Sequence, residues 1–146
     1  IKAGIRDLLR KGVIDSLTLE QRAEAYEAIT LAFVALEKRS QTIMYVYQTM
    51  KEFESLGNKV KAFKYKEILY ESLAAAMLSF FPSKIRIEAQ IQGLRHIQTE
   101  KQKEFGFDHV LTSTCDLRIA AIYARSGNAE LAKYHLEKAE SLLNAN

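Results

Sequence analysis

The chain has very little of what marks disordered, disulfide-bonded or membrane-spanning proteins. Its 146 residues include one proline, six glycines and one cysteine, and no tryptophan. So few turn formers leave no linker-like or low-complexity segment. A single cysteine cannot close an internal disulfide, which is typical of a reducing compartment, and we expect a cytoplasmic protein. No apolar run approaches the ~20 residues that span a bilayer, so we expect no membrane partner.

What the chain has instead is the composition of an ordinary folded domain. Hydrophobic residues make up 48% of the sequence and charged residues 27%, and this length is enough to bury a core. We therefore expect one helical domain over residues 1–146. The net charge of +3 is too weak by itself to indicate nucleic-acid binding. Because the first residue is not Met, we expect a processed product or a piece of a larger protein.

Helix signals dominate the sequence, and strand signals are nearly absent. Thr18 and Gln21 have the spacing of a capping box, Gly57 and Gly127 stand where helices end, and Pro82 stops another helix. A break near residues 38–41 is preferred to one much longer helix. Short turns make neighbouring helices antiparallel. These signals predict an all-α fold of about seven helices, over roughly 2–11, 18–38, 41–56, 59–80, 84–104, 109–126 and 128–143.

The strongest pattern is a motif of two short helices joined by glycine and asparagine, the glycine-asparagine motif. It is clearest at Gly127-Asn128, and a weaker copy lies 70 residues upstream at Gly57-Asn58. In both copies an aromatic residue precedes the glycine by four positions, alanine follows it by five and glutamate by ten. Such a repeat predicts helix pairs that stack on one another.

The C-terminal glycine-asparagine motif, residues 113–146, resembles a tetratricopeptide repeat. The period of that family is ~34 residues, about half the offset between the two copies. The family positions are filled by Ala120, Tyr123, Gly127, Ala132, Leu136 and Ala139. Small residues let two helix backbones approach, and Tyr123 and Leu136 are expected to fill the space between helix pairs. The resemblance implies antiparallel helix pairs stacked as a solenoid. The alternative architecture is an irregular helix bundle in which the glycine-asparagine motif arises by chance.

The resemblance also implies a protein- or peptide-binding adaptor or scaffold, with a groove lined by the first helix of each pair. In this chain those helices are 41–56 and 109–126. The net positive charge of the sequence favours an acidic partner. The upstream copy departs from the family at Lys66, which replaces a large apolar residue and marks a place where a partner could dock. The candidate contact residues are Tyr45, Gln48, Lys51, Lys66, Arg118 and Arg125.

No set of residues with catalytic or metal-binding spacing stands out. The histidines at 96, 109 and 135 lack metal-ligand spacing, and His109 and Cys115 point to different faces of one predicted helix. The carboxylates are explained as helix caps or solvated faces, and Cys115 as a small packing residue. There is no glycine-rich phosphate loop. We expect neither an enzyme nor a bound cofactor or metal.

Two alternatives to the adaptor function stay open. The segment Lys59–Lys66 carries four lysines and two aromatic residues without an acid, and with Arg39 it could bind nucleic acid, although a solvated helix face explains it more simply. The other alternative is a self-associating piece of a larger assembly, because Leu142 and Leu143 on the last helix need a neighbour. That alternative predicts a homo-oligomer.

The aromatic residues in the middle of the chain divide into two groups. The residues assigned to the core are Phe53, Phe63 and Tyr70. Because tyrosine is favoured at interfaces, the residues assigned to an exposed recognition surface are Tyr45, Tyr47 and Tyr65. The apolar run Leu73–Phe81 is predicted to form a buried helix end.

Overall fold

The computed structural model describes residues 13–107 and 109–145. The regular elements in those ranges are helical, which confirms the predicted all-α fold, while the predicted helix 2–11 lies outside them. No helix in those ranges combines the length and apolar character needed to cross a membrane. The elements are α1 (Leu19–Ala35), α2 (Arg39–Ser55), α3 (Lys59–Met77), α4 (Ser83–Phe105), α5 (Ser113–Arg125) and α6 (Ala129–Ala145), with 3-10 turns at Ile14–Ser16 and Val110–Thr112.

The first helix boundaries follow the capping chemistry that the sequence predicts. Thr18 Oγ1 accepts a hydrogen bond from the Gln21 N–H at 3.2 Å, and the Gln21 side chain accepts one from the Thr18 N–H at 3.1 Å. α1 ends at Ala35, slightly before the predicted break, and Glu37 turns the chain with a left-handed φ of 55°. The stretch predicted as 18–38 and 41–56 is therefore two helices.

Both glycine-asparagine motifs end one helix and begin the next. Gly57 and Gly127 have φ values of 73° and 84°, in the left-handed region that glycine adopts without strain. The side chains of Asn58 and Asn128 then accept hydrogen bonds from the backbone N–H three residues further on, at 3.1 and 3.2 Å. The short turns thus come from the backbone freedom of one residue and the capping oxygen of the next.

Residue contacts divide the chain after Ser72 into two compact units, and the boundary falls within α3. In the first unit α1 packs on α2, with buried side chains that include Ile29, Val46, Met50 and Phe53. In the second unit α4 and α5 share a buried cluster of Ile91, Leu94, Ile119 and Ile122. α6 packs on α5, where Ala120 and Ala139 are buried and let the two backbones approach.

Two predictions about apolar residues are wrong. The run Leu73–Phe81 does not form a buried helix end, because α3 ends at Met77 and Phe80 is fully exposed, at 100%. Pro82 disfavours helical backbone in the residue before it, so the second half of the run leaves the helix. Leu136, expected to fill the space between helix pairs, is 44% exposed. Neighbouring residues on a helix point about 100° apart, and here His135 occupies the buried direction.

Tyr65 is buried at 1% exposure, which contradicts its predicted place on an exposed recognition surface. Its ring stacks on Phe53 with centroids 6.1 Å apart, and its hydroxyl donates to Glu27 Oε2 at 2.5 Å. Burial and the neighbouring Glu27 carboxylate both raise the pKa of Tyr65, so the hydroxyl stays a donor. Tyr47, by contrast, is exposed as predicted.

Glu27 joins α1 to α3 within the first unit. Lys61 Nζ lies 3.0 Å from Glu27 Oε1 and 5.0 Å from the centroid of the Phe53 ring. Partial burial alone would raise the pKa of Glu27, but the hydrogen bonds from Tyr65 and Lys61 outweigh it and the pKa is lowered. The carboxylate is therefore held in its charged form between a phenol and an ammonium group.

Replacing Glu27 with Gln is expected to lower the free energy of unfolding at pH 7 by about 1–2 kcal/mol, because a charged hydrogen-bond acceptor is lost. The folded pKa of Glu27 lies below its ordinary value of 4.5. Its contribution is therefore complete above that pH and is lost as the pH falls through the lowered value. Urea unfolding at pH 7 and pH 3 measures both effects: the gap between the native chain and Glu27→Gln should shrink at pH 3.

Glu24→Gln is the matched control, since Glu24 is exposed on the same helix. It should leave the free energy of unfolding unchanged within about 0.5 kcal/mol at both pH values. If Glu27→Gln is as stable as the native chain at pH 7, the carboxylate does not join the two helices energetically.

Candidate binding groove

An open groove of about 660 Å³ lies in the second unit. Its floor consists of Ile87 and Ile91 from α4, Tyr123 from α5 and Leu131 from α6. Ile87 and Tyr123 pack against the buried cluster that contains Ile91, so the floor is anchored to the core of this unit. Cavities of ~300–1,000 Å³ with an apolar lining are the usual size of ligand sites in proteins.

One wall of the groove is a row of polar side chains on α4. Lys84, Glu88 and Arg95 line it together with Gln92, and all four are exposed. At 100° per residue, Lys84, Glu88 and Arg95 fall within a sector of about 40°, so they face the same side of the helix. In the part of the chain that the structure describes, neither Lys84 nor Arg95 has a carboxylate partner. Their charges are therefore available to a ligand.

The turn between α5 and α6 also lines the groove. Ser126 and Asn128 line it, on either side of the left-handed Gly127. The Ser126 hydroxyl donates to the Tyr123 carbonyl at 2.9 Å, and Asn128 caps α6. The lining residues from α5, α6 and this turn are uncharged, so the charge of the groove comes from α4.

A polar cluster of Gln98, Asp116 and His135 supports the floor from inside the unit. The Tyr123 ring stacks on His135 with centroids 5.6 Å apart, and His135 Nδ1 lies 3.0 Å from Asp116 Oδ1. Gln98 Nε2 donates to Asp116 Oδ2 at 2.7 Å. Since Gln98 belongs to α4, Asp116 to α5 and His135 to α6, one carboxylate joins all three helices that form the groove.

Asp116 is not the helix cap or solvated carboxylate that the sequence predicts. It is 0% exposed, and Lys138 Nζ lies 3.8 Å from its Oδ1 as a further positive neighbour. Glu52 in the first unit is also buried, where Arg22 Nε lies 3.1 Å from its Oε2. Each carboxylate has several polar neighbours, which offset the cost of burying it.

The three histidines serve as structural groups. His135 belongs to the polar cluster, His109 Nδ1 accepts a hydrogen bond from the Leu111 N–H at 3.1 Å, and His96 Nε2 lies 3.0 Å from Glu100 Oε1. Across residues 13–107 and 109–145 no three His, Cys, Asp or Glu side chains gather closely enough to hold a metal ion.

The predicted contact residues of α2 lie in the first unit. Tyr45 is half-buried and stacks on Phe33 with centroids 5.4 Å apart. Gln48 Nε2 donates to Glu52 Oε1 at 3.2 Å, and Lys51 is exposed. Tyr45 thus has a packing role, whereas Lys51 keeps an exposed charge.

The remaining predicted contact residues also lie outside the groove. Lys66 is half-buried on α3, Arg118 is half-buried on α5, and Arg125 is exposed at the end of α5 next to the groove-lining Ser126. Sequence reasoning missed Lys84 and Arg95. The available signal was the pair Ile87 and Ile91, apolar positions four apart on α4 with a cation before and after them.

The lysine cluster Lys59–Lys66 is partly occupied by contacts within the chain. Lys61 pairs with Glu27 at 3.0 Å, and Lys64 lies over the Tyr65 ring at 5.6 Å from its centroid. The ring of Tyr65 is buried and unable to stack on a base. These contacts remove part of what a nucleic-acid surface requires.

Comparisons with known proteins leave the family of this chain open. No family model, curated protein or solved structure matches it significantly. The likeness to tetratricopeptide repeats therefore stays a prediction from the sequence. The function has to be argued from the groove and its charges.

Truncating Asp116 to Ala is expected to lower the free energy of unfolding by about 3 kcal/mol, because Gln98 and His135 lose their buried acceptor. Asp116→Asn keeps the size and one acceptor oxygen, so its cost should be about half as large. Denaturant unfolding followed by circular dichroism measures both. An Asp116→Ala chain within about 0.5 kcal/mol of the native one would show that the cluster does not hold the three helices together.

Proposed function

We propose that this chain is a non-catalytic binding module whose second unit holds a short segment of a partner protein. The observation that carries this proposal is the open groove with an apolar floor and two exposed cations, Lys84 and Arg95, on one wall. Apolar burial supplies affinity, and fixed charges at the rim supply orientation and selectivity. The proposed partner segment is therefore apolar with acidic groups.

The helical architecture supports an adaptor or scaffold role of the tetratricopeptide kind. The α5–α6 pair has the short glycine-asparagine turn and the buried alanines that such a pair requires. The proposed module works without a cofactor, and the cytoplasm is its proposed location. A groove of this size supports an affinity on the order of micromolar Kd, because a short segment buries little area and loses its own flexibility on binding.

An array of synthetic ten-residue peptides with randomised apolar, acidic and basic positions tests this function. Fluorescently labelled full-length chain should select peptides that combine apolar and acidic residues. Arg95→Glu should weaken binding of the selected peptides at least tenfold, because attraction becomes repulsion at one end of the groove. Fluorescence anisotropy on individual peptides measures the change in Kd.

Lys103→Glu provides the matched control, since Lys103 is exposed on the same helix but does not line the groove. It carries the same change of net charge and should alter Kd less than twofold. Selection of no peptide class at all, or equal losses for the two variants, would contradict binding in the groove.

Self-association is a second candidate, favoured by four exposed apolar side chains near the α3–α4 connection: Met77, Phe80, Phe81 and Ile85. Monomeric proteins rarely expose large contiguous apolar patches. α6 adds Leu136 and Leu143, which are exposed and seven residues apart on one side of the helix. These residues support the predicted homo-oligomer.

Sedimentation equilibrium between about 10 and 500 µM tests self-association, and a mass that rises with concentration is expected. Phe80→Ser should return the mass to that of a monomer, whereas Phe107→Ser should not, although Phe107 is also exposed, at 71%. A constant monomer mass over the whole range would exclude this candidate.

A further inference from the structure

The charges along the α4 wall of the groove alternate in sign: Lys84 is positive, Glu88 negative and Arg95 positive. We propose that this row selects an extended segment carrying an acidic, a basic and an acidic residue in the matching order. The inference rests on the proposed function and adds the pattern of the ligand to it. The lining residues of α5 and α6 are uncharged, so they add no charge to this alternating row.

Helix geometry sets the spacing that the segment must match. With a rise of 1.5 Å per residue, Glu88 lies about 6 Å and Arg95 about 16.5 Å along the axis from Lys84. An extended chain advances about 3.3 Å per residue and points alternate side chains to opposite faces, so residues that face one wall are separated by even offsets. The offsets are therefore two residues for Glu88 and about four for Arg95, whose long side chain covers the remaining ~3 Å. The matching segment is acidic-x-basic-x-acidic, counted from the Lys84 end.

An extended segment suits this groove because its alternate side chains form two sets, so that one set can meet the charged α4 wall and the other the apolar lining.

Glu88 is the specificity-determining residue of this pattern. Lys84 and Arg95 attract any acidic segment, but a continuous run of acids places a carboxylate opposite Glu88, and like charges that meet across an interface weaken binding. The positions marked x face the floor and are expected to be apolar, as Ile87, Tyr123 and Leu131 are. The groove thus distinguishes an alternating segment from a merely acidic one.

Two capped peptides test the pattern: Asp-Leu-Lys-Leu-Asp, and the same peptide with Asp in place of Lys. The native chain should bind the Lys peptide about five- to tenfold more tightly than the Asp peptide. Glu88→Lys should invert this preference. Isothermal titration calorimetry at 50 mM salt measures the Kd of each peptide for each chain. Glu140→Lys is the matched control, since Glu140 is exposed on α6 outside the groove, and this variant should keep the native preference.

Inversion by Glu88→Lys, but not by Glu140→Lys, supports the pattern. If both peptides bind the native chain and Glu88→Lys equally while Arg95→Glu still weakens them, the groove binds acidic segments but the pattern is wrong. If neither peptide binds and the peptide array also selects nothing, the proposed function fails together with the pattern.

Discussion

The groove depends on one buried carboxylate. Asp116 is fully enclosed, and it accepts a hydrogen bond from Gln98 of α4 and contacts α6 while belonging to α5. A buried carboxylate needs polar neighbours around it, so each of the three helices is fixed relative to the same atom group. Through His135 and Tyr123 this constraint reaches the floor of the groove. The base of the groove is therefore tied to the packing of all three helices, whereas its charged wall is exposed.

Much of the fold could be predicted from the sequence because local signals settle it. The capping box at Thr18 and the two glycine-asparagine turns act over three or four residues, and each lies where the pattern indicated. The failures have different causes. Tyr65 is buried where Glu27, far away in the sequence, accepts a hydrogen bond from its hydroxyl, and no local pattern shows that pairing. Phe80 is exposed because α3 ends at Met77, within a run whose composition alone indicated burial.

The site was harder to predict than the fold. The predicted contact residues followed a family pattern and assigned exposure to Tyr45, which packs on Phe33 instead. The local signal at Lys84 and Arg95 is only the apolar pair between them, and it is weak because a solvated helix face contains many such charged residues. These two cations become a candidate site only when Tyr123 and Leu131 are brought beside them by the folding of α5 and α6. A groove is a property of several helices, whereas a sequence pattern describes one.

The charged row and the buried core of the second unit are separate parts of the same helix. Ile91 and Leu94 face inward on α4, while Lys84, Glu88 and Arg95 are exposed and contribute nothing to that packing. Substitutions at the outer positions therefore cost little folding energy. A chain built this way can change the charges along its groove through a few surface replacements while its architecture persists. Surface charge and fold can then diverge independently, and an engineer could rewrite the first without repairing the second.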